Sequence, residues 1–292
     1  MTRLIASFAE VAGRYEAAFV DLWGCMHDGL RAFPEAVAAM QAFRRRGGRV
    51  ALVTNSPRPR QGVEAQIAAF GIPRDAWDVI ATSGDAARVA LFEGRVGRRV
   101  WFMGEARDRT FLEPPHIVTD PLRIETVPLE EAEGIVCCAP FDPHADPDTL
   151  RPRLEAARLR DLPLLCANPD IVVDRGEVRE WCAGAVARLY EEMGGRALYF
   201  GKPHAPIYDL ARRRLAASGP LPPDSRIVAI GDGIGTDIRG AIDQGLDSIL
   251  VTGGLAAQET RTPRGGQPEA EALAAYAQMQ GLSATYAMGF LR

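Results

Sequence analysis

The sequence predicts an α/β fold in which a doubly wound parallel sheet is interrupted by a second, smaller α/β segment. Up to about residue 95, short apolar runs alternate with helical stretches at the spacing of parallel strands and their crossover helices. Between about residue 96 and residue 183, longer stretches rich in proline and acidic residues separate the apolar runs. The first rhythm then returns and continues to residue 251.

A chain of 292 residues is long for one domain, so we expect two. We predict a Rossmannoid core domain at residues 1–86 and 184–292 and an inserted α/β domain at residues 87–183. The hydrophobic content of 47% and the charged content of 25% are ordinary for a globular protein. The net charge of −4 gives no general attraction to nucleic acid or to a membrane surface, so neither is an expected partner.

The elements of the first part have clear start and stop signals. Pro34 suits the first turn of a helix, and Gly47-Gly48 ends that helix. The predicted elements are strands at 17–20, 49–53 and 78–82, and helices at 35–46, at 61–70 and from 83. In the inserted segment we predict strands at 100–103, 134–138 and 164–166. Beyond it we predict helices at 183–193, from 206 and from 236, and strands at 197–200, 226–230 and 248–251.

The first 20 residues contain four charged side chains and therefore lack the apolar region of a secretory signal. No apolar run approaches the roughly 18 residues that span a bilayer. The five cysteines are odd in number and lack the CxxC spacing, so we expect reduced, buried thiols in a cytoplasmic protein. A zinc site formed by Cys137, Cys138, Cys166 and a histidine is the alternative.

Polar groups of complementary chemistry follow several predicted strands of the core. They are Asp21, Thr54-Asn55, Lys202, and Asp232 with Asp237. Ligands of open α/β sheets bind at the carboxyl ends of the strands, so these groups are expected in one site. Taken singly, each Asp has an alternative role as a cap of the following loop or helix.

The chemistry of these groups suits a phosphate ester. Lys202 is the only lysine in the chain, which suggests a place where a compact ammonium is needed. The segment 231–237 lacks the G-x-G-x-x-G spacing of dinucleotide sites, but its two aspartates can hold Mg²⁺ when a third carboxylate faces them. Asp21 would then be the nucleophile, and Thr54 with nearby backbone N–H groups at a helix start would cradle the anion.

The chain resembles the haloacid dehalogenase (HAD) superfamily, and specifically its class IIA, NagD-like phosphatase branch. The four motifs of that superfamily are matched, in order, by Asp21, Val53-Thr54-Asn55, Gly201-Lys202-Pro203 and Gly231-Asp232 with Asp237. The resemblance covers residues 19–254, with the branch's cap inserted between the second and third motifs. Ala167-Asn168-Pro169-Asp170 is similar to the cap segment that faces the substrate.

The resemblance implies Mg²⁺-dependent hydrolysis of a small phosphate ester, such as a sugar or nucleotide phosphate, through an aspartyl-phosphate on Asp21. The substrate is then a small phosphorylated metabolite, and a homodimer is one assembly that this interpretation allows. The implied residues are Asp21 and Lys202 for catalysis; Thr54, Asn55 and Lys202 for the phosphate; Asp21, the carbonyl of Trp23, Asp232 and Asp237 for the metal; and Asn168 and Asp170 for substrate choice.

One position departs from the phosphatase pattern. Phosphatases of the superfamily have a second Asp two residues after the nucleophile, whereas this chain has Trp23, whose indole cannot shuttle a proton. Two alternatives follow: a dehalogenase, which needs no metal, and a phosphometabolite-binding protein with weak or no turnover. His27 and Asp28 are candidates for a replacement proton relay, or else simply form the turn after the strand.

Overall fold

A computed structural model describes residues 2–175 and 178–292. The strands are β1 (Arg3–Leu4), β2 (Ala17–Val20), β3 (Arg49–Thr54), β4 (Val79–Thr82), β5 (Arg99–Met103), β6 (Glu125–Thr126), β7 (Gly134–Cys137), β8 (Pro163–Cys166), β9 (Val172–Arg175), β10 (Val178–Trp181), β11 (Arg196–Tyr199), β12 (Ile227–Gly231), β13 (Asp247–Val251) and β14 (Tyr286–Met288). The α-helices are α1 (Pro34–Arg45), α2 (Arg60–Ala69), α3 (Ser83–Phe92), α4 (Arg151–Arg158), α5 (Ala183–Glu192), α6 (Ala205–Ala216), α7 (Arg239–Asp243) and α8 (Ala270–Gln280). Short 3-10 turns connect several of these elements.

The chain divides into two compact units. The first unit comprises residues 1–54, 64–81 and 208–292, and the second comprises residues 55–63 and 82–207. Each unit contains a parallel sheet and helices, as the predicted α/β fold class requires. The fold class is therefore confirmed.

The first unit contains a seven-stranded sheet in the order β1-β14-β13-β12-β2-β3-β4. β2 lies near its centre and runs parallel to β12 on one side and to β3 on the other. All four residues of β2 are buried, which explains why the run carries no polar side chain. Because the strands are parallel, the residues that follow β2, β3 and β12 lie at the same edge of the sheet.

The second unit contains a five-stranded sheet in the order β11-β8-β7-β5-β6, with parallel pairing throughout. One face of this sheet packs on α5, whose Val186 and Tyr190 are fully buried. β11 lies in this sheet although it follows residue 183, where the predicted inserted segment ends. The assignment of residues 1–86 and 184–292 to one domain and 87–183 to the other stays a prediction.

Most predicted elements of the chain are present within one or two residues of their expected bounds. α1 begins at Pro34 and is followed by Gly47, whose positive φ of 88° suits the chain reversal after the helix. The expected helix after β12 begins as a π-helical turn at Ile234–Ile238, which is wider than an α-helical turn, and continues into the short α7. The antiparallel hairpin of β9 and β10 was not predicted, because β10 is partly exposed and has no clear apolar alternation.

Within the described part of the chain, no helix is both long enough and apolar enough to cross a membrane.

Candidate active site

Two carboxylates lie at the carboxyl ends of adjacent strands in the first unit. Asp21 directly follows β2, and its N–H donates to the carbonyl of Ile230 on β12 at 2.8 Å. Asp232 directly follows the last residue of β12. Only 8% of Asp21 and 4% of Asp232 is exposed. The predicted nucleophile and the predicted metal ligand therefore occupy the same edge of one sheet.

The turn after β2 adds a thiol to these carboxylates. Gly24 has a positive φ of 72°, and the N–H groups of Met26 and His27 both donate to the carbonyl of Leu22, at 2.8 and 3.1 Å. This turn brings Cys25 back beside Asp21. Among the described residues, one ligand atom each of Asp21, Cys25 and Asp232 lie within 4.8 Å of one another.

From the sequence, Cys25 was expected only to be a buried thiol. A signal was present, however, because Cys25 is four residues after Asp21 and a glycine precedes it. In a tight turn, two residues at this spacing come close to each other. That Cys25 would also meet Asp232, more than 200 residues away in sequence, depends on the pairing of β2 with β12.

The surroundings of Asp232 suit a bound cation. The backbone at Gly24 and at Gly254 lies directly against the Asp232 carboxylate. A Cβ at either position would overlap that carboxylate, so only glycine fits there. The N–H of Leu255 donates to Asp232 Oδ2 at 3.1 Å. Carboxylate oxygens are the ligands that hard divalent cations prefer, and one ligand atom each of Asp21, Cys25 and Asp232 lie within 4.8 Å of one another. The donor set therefore fits a divalent cation, which Asp21, Asp232 and Cys25 would hold.

Asp237 is buried but is not a member of this ligand group. Its Oδ2 accepts hydrogen bonds from the N–H of Gly233 at 3.2 Å and from the hydroxyl of Thr236 at 3.3 Å. A Cβ at Gly231 would overlap the Asp237 carboxylate, which explains the glycine at the end of β12. Asp237 thus closes the turn after Asp232, and its role as a metal ligand stays a prediction.

Thr54 is the last residue of β3, the strand beside β2, and it is 9% exposed. The helix expected to offer its backbone N–H groups begins only at Arg60. There the carboxylate of Asp85 accepts a hydrogen bond from the N–H of Arg60 at 3.2 Å and pairs with buried Arg88 at 3.0 Å. The N–H of Arg60 at the start of α2 is therefore occupied by a protein carboxylate, and the anion cradle expected beside Thr54 stays a prediction.

In the second unit, Asn55 connects Lys202 with Asp170. Its Oδ1 accepts from the N–H of Lys202 at 2.7 Å, and its Nδ2 donates to the carbonyl of Lys202 at 3.2 Å. The same Nδ2 donates to Asp170 Oδ1 at 2.8 Å. Lys202 itself is 3% exposed. The Asn55 amide thus holds the backbone of the predicted catalytic lysine and the side chain of a predicted substrate residue.

The predicted substrate segment is fixed by local contacts. Asn168 Oδ1 accepts from the N–H of Asp170 at 3.0 Å, and the Asn168 carbonyl accepts from Cys166 Sγ at 3.2 Å. A Cβ at Gly184 would overlap the carbonyls of Pro169 and Asp170, so α5 approaches this segment closely. The second unit therefore brings Asn55, Asn168, Asp170 and Lys202 together.

Trp23 is half-buried and packs edge-on against His27, with 5.4 Å between the ring centroids. His27 is buried, and its Nδ1 accepts from the N–H of Gly29 at 3.0 Å. Burial lowers the pKa of His27 from 6.5 to about 4, although nearby Asp28 opposes the shift. Asp28 Oδ1 accepts from two backbone N–H groups, those of Leu30 and Arg31. Asp28 therefore forms the turn, as one of the two sequence interpretations expected.

The described residues do not form the alternative zinc site. Cys137 and Cys166 lie opposite each other on β7 and β8, and burial raises the pKa of the thiols of Cys138 and Cys166. In residues 2–175 and 178–292, the only group of three or more metal-binding side chains with suitable spacing is the one at Asp21. The cysteines of the second unit are buried thiols, as expected.

The chain has similarity to known hydrolases along most of its length. Residues 18–116 match the family model described as haloacid dehalogenase-like hydrolase, and residues 199–275 match the one described as HAD-hydrolase-like. A 5'-nucleotidase, YutF, from Bacillus subtilis (strain 168) is 25% identical over 251 residues, which is 85% of this chain and 91% of that protein.

Solved structures extend the similarity to the whole chain. A hydrolase of the haloacid dehalogenase-like family from Brucella suis 1330 is 38% identical, with a TM-score of 0.82 over 99% of this chain and all of that one. A possible sugar phosphatase of the HAD superfamily from Cytophaga hutchinsonii ATCC 33406 is 20% identical, with a TM-score of 0.73 over 99% of each chain. At that identity the second structure shows the fold alone. The family models, the Brucella relative and the strand-end aspartates agree, and the chain belongs to the haloacid dehalogenase-like hydrolase family.

Proposed function

We propose that this protein is a divalent-cation-dependent phosphatase that cleaves a small phosphate ester through an aspartyl-phosphate on Asp21. The observation that carries the proposal is the buried pairing of Asp21 with Asp232 at the ends of β2 and β12, with ligand atoms within 4.8 Å. A dehalogenase needs no metal, whereas two carboxylates and a thiol whose ligand atoms lie this close together are suited to a divalent cation. The paired carboxylates therefore favour phosphoryl transfer.

The proposed chemistry has two steps. A carboxylate oxygen of Asp21 attacks phosphorus, the bond from phosphorus to the leaving oxygen breaks, and that oxygen departs as an oxyanion or takes a proton. Water then attacks the phosphorus of the aspartyl-phosphate, releases inorganic phosphate and restores Asp21. A Mg²⁺ ion held by Asp21, Asp232 and the carbonyl of Trp23 would neutralise charge on the phosphoryl oxygens.

We assign Lys202 and Thr54 to binding of the phosphoryl group, as the family resemblance implies. Asn55 supports this assignment indirectly, because its amide fixes the backbone of Lys202 through two hydrogen bonds. We therefore propose Asn55 as a positioning residue in addition to its predicted contact with phosphate. Asp237 would hold metal-bound water.

The relatives support a proposal for the substrate class. The Bacillus relative is a 5'-nucleotidase and the Cytophaga structure is a possible sugar phosphatase, so we propose a sugar or nucleotide phosphate. We place substrate choice in the NagD-like cap at residues 87–183, with Asn168 and Asp170 as the contacting residues. Exclusion of water on closure of such a cap would protect the aspartyl-phosphate.

Trp23 supports a restriction on the leaving group. A positioned general acid contributes about 10²–10⁴-fold to such reactions, and the indole cannot supply a proton. We therefore propose that aryl and acyl phosphates, whose leaving groups need no proton, are cleaved faster than alkyl phosphates. The indole at position 23 also supports a second candidate function, which is binding of a phosphometabolite with little turnover.

The test is a panel of phosphate esters assayed for phosphate release with Mg²⁺ and with excess EDTA. We expect Mg²⁺-dependent release that Asp21→Asn abolishes, because the amide is nearly isosteric but not nucleophilic. Asp243→Asn is the matched control, since Asp243 is an exposed partner of Arg239 and should keep full activity. Full activity in EDTA would refute the metal requirement, and halide release from a haloacid would support the dehalogenase. Tight ligand binding without turnover on any ester would support the binding protein.

A further inference from the structure

The thiol of Cys25 gives the cation site a donor that Mg²⁺ does not require. Cys25 is 1% exposed and lies in the ligand group with Asp21 and Asp232. Mg²⁺ prefers oxygen ligands in octahedral geometry, whereas sulfur ligands favour zinc and other soft or borderline cations. Two oxygen donors and one sulfur donor therefore form a mixed set that suits a tetrahedral metal.

The spacing of the three donors is close to what such a metal needs. Zn–O distances of about 2.0–2.2 Å and a Zn–S distance of about 2.3 Å place neighbouring tetrahedral ligand atoms roughly 3.5 Å apart. The ligand atoms of Asp21, Cys25 and Asp232 lie within 4.8 Å of one another before any metal is bound. Closing the set therefore requires the most distant pair of ligand atoms to approach by at most roughly 1.3 Å.

The position of Cys25 is set by the backbone. Gly24 adopts a left-handed conformation, and the Leu22 carbonyl receives two N–H groups across the turn. The thiols of Cys137 and Cys166 lie in the second unit, where they donate to the carbonyls of Ala139 and Asn168. Among the described cysteines, Cys25 is the one that lies in a group of possible metal ligands.

We propose that Asp21, Cys25 and Asp232 form a high-affinity site for a thiophilic divalent cation such as Zn²⁺, Co²⁺ or Cd²⁺. On binding, the Cys25 thiol releases its proton to solvent and ligates as the thiolate. The cation then competes with Mg²⁺, and the negative charge of the bound thiolate leaves it less able than Mg²⁺ to neutralise the phosphoryl oxygens. The inference rests on the proposed function for this inhibitory consequence, but the binding itself does not require turnover.

The test uses Co²⁺ as a spectroscopic probe of the chelator-treated protein. A thiolate bound to Co²⁺ gives an intense ligand-to-metal charge-transfer absorption in the near ultraviolet, which oxygen ligands do not. We expect this absorption at one equivalent of Co²⁺ in the wild type, its loss in Cys25→Ser, and its retention in the matched control Cys182→Ser, in which another buried thiol is replaced. Excess Zn²⁺ should remove the absorption from the wild type by displacing Co²⁺.

Binding constants provide a second, independent measurement. We expect Cys25→Ser to weaken Zn²⁺ binding by about ten- to a hundredfold, as measured by competition with a chromophoric chelator, and to change Mg²⁺ binding by less than about threefold. Should Cys25→Ser fold poorly, the wild-type Co²⁺ spectrum together with Cys25→Ala decides the question. Co²⁺ binding without charge-transfer absorption, or equal Zn²⁺ affinity in the wild type and Cys25→Ser, would overturn the proposal.

Different measurements refute the phosphatase proposal and the proposal of a thiophilic metal site. Absence of Mg²⁺-dependent phosphate release would refute the phosphatase but leave the Co²⁺ spectrum unaffected. Conversely, normal phosphatase activity without a Co²⁺–thiolate absorption would refute the thiophilic site alone. If both proposals are correct, the Zn²⁺ concentration that halves phosphatase activity should be at least tenfold lower for the wild type than for Cys25→Ser.

Discussion

His27 illustrates how a single buried side chain makes stability depend on pH. Its ring lies between Trp23 and Phe70, with centroid distances of 5.4 and 5.0 Å, and its Nδ1 accepts the N–H of Gly29. Burial lowers the pKa of His27 to about 4, so the folded protein keeps the imidazole neutral where an unfolded chain would protonate it. The unfolded state therefore binds more protons between pH 6.5 and pH 4.

We predict that the free energy of unfolding falls as the pH is lowered through this window. The loss attributable to His27 is about 3 kcal/mol, at roughly 1.4 kcal/mol for each unit between the two pKa values, and it is complete below pH 4. Denaturant unfolding in EDTA at several pH values measures it. His27→Asn should flatten this part of the profile, whereas the exposed control His116→Asn should not. The same slope in His27→Asn and the wild type would contradict the prediction.

The second prediction at the residue scale concerns Trp23. Trp23→Asp should raise turnover most for alkyl phosphates, because an alkoxide leaving group needs the proton that the indole cannot give. We expect the gain in rate to be at most the roughly 10²–10⁴-fold that a positioned general acid contributes. Replacing a half-buried indole leaves a cavity, which costs at most the roughly 3–5 kcal/mol of a fully buried site.

The measurement is the dependence of kcat/KM on leaving-group pKa, with melting curves of the same samples. Wild type should show a steep fall in rate as the leaving-group pKa rises, and Trp23→Asp a shallower one. Trp23→Phe is the matched control, because it removes part of the ring but adds no acid. A folded, Mg²⁺-binding Trp23→Asp variant with the wild-type slope would show that the missing acid is not limiting.

At the scale of elements, the loop after β3 and the loop after β11 are joined by one amide. Asn55 reaches both the backbone of Lys202 and the side chain of Asp170. We predict that Asn55→Asp destabilises the protein by about 1–3 kcal/mol, since it places two carboxylates together and removes both hydrogen bonds that Nδ2 donates. It should also reduce kcat more than it changes metal affinity.

A double-mutant cycle tests this coupling. In Asn55→Asp combined with Asp170→Asn, the amide and the carboxylate exchange places, so part of the lost stability should return. The contact between residue 55 and the Lys202 carbonyl would remain unfavourable, so recovery should be incomplete. Additive effects of the two substitutions, measured by denaturant unfolding, would show that the 2.8 Å contact contributes no coupling.

At the scale of the whole molecule, metal binding should act on the first unit. The ligand group joins residues 21–25 with Asp232, which are distant in sequence but adjacent across β2 and β12. We predict that Mg²⁺ slows amide hydrogen exchange in segments 21–27 and 231–238. Amides of β5, β7 and β8 should be unaffected by this local binding.

Hydrogen exchange with mass spectrometry provides the measurement, and Asp232→Asn provides the control. At a Mg²⁺ concentration 100 times Kd, the linked stabilisation is about 2.7 kcal/mol, which is easily detected in the exchange of the protected segments. Asp232→Asn should lose the Mg²⁺ effect without changing exchange in the second unit. Uniform protection of both units by Mg²⁺ would argue against a site confined to these residues.

The sequence by itself determined the α/β class and the position of most strands, because buried parallel strands require continuous apolar runs. It also indicated Asp21, Thr54 and Asp232 as strand-end groups, since polar residues directly after such runs lie at the edge where ligands bind. Local signals of this kind are contained in a few consecutive residues. The roles assigned to these three residues stay predictions, as do those of Trp23, Asn55, Asn168, Asp170, Lys202 and Asp237.

Only the tertiary structure decided which of these groups meet. Cys25 joins Asp232 because β2 pairs with β12, and the start of α2 is capped by Asp85 from a helix that follows the next strand. Asn55 engages Asp170 although 115 residues separate them. No local pattern encodes such contacts, because they depend on strand order and on close backbone approach at glycines such as Gly24 and Gly254.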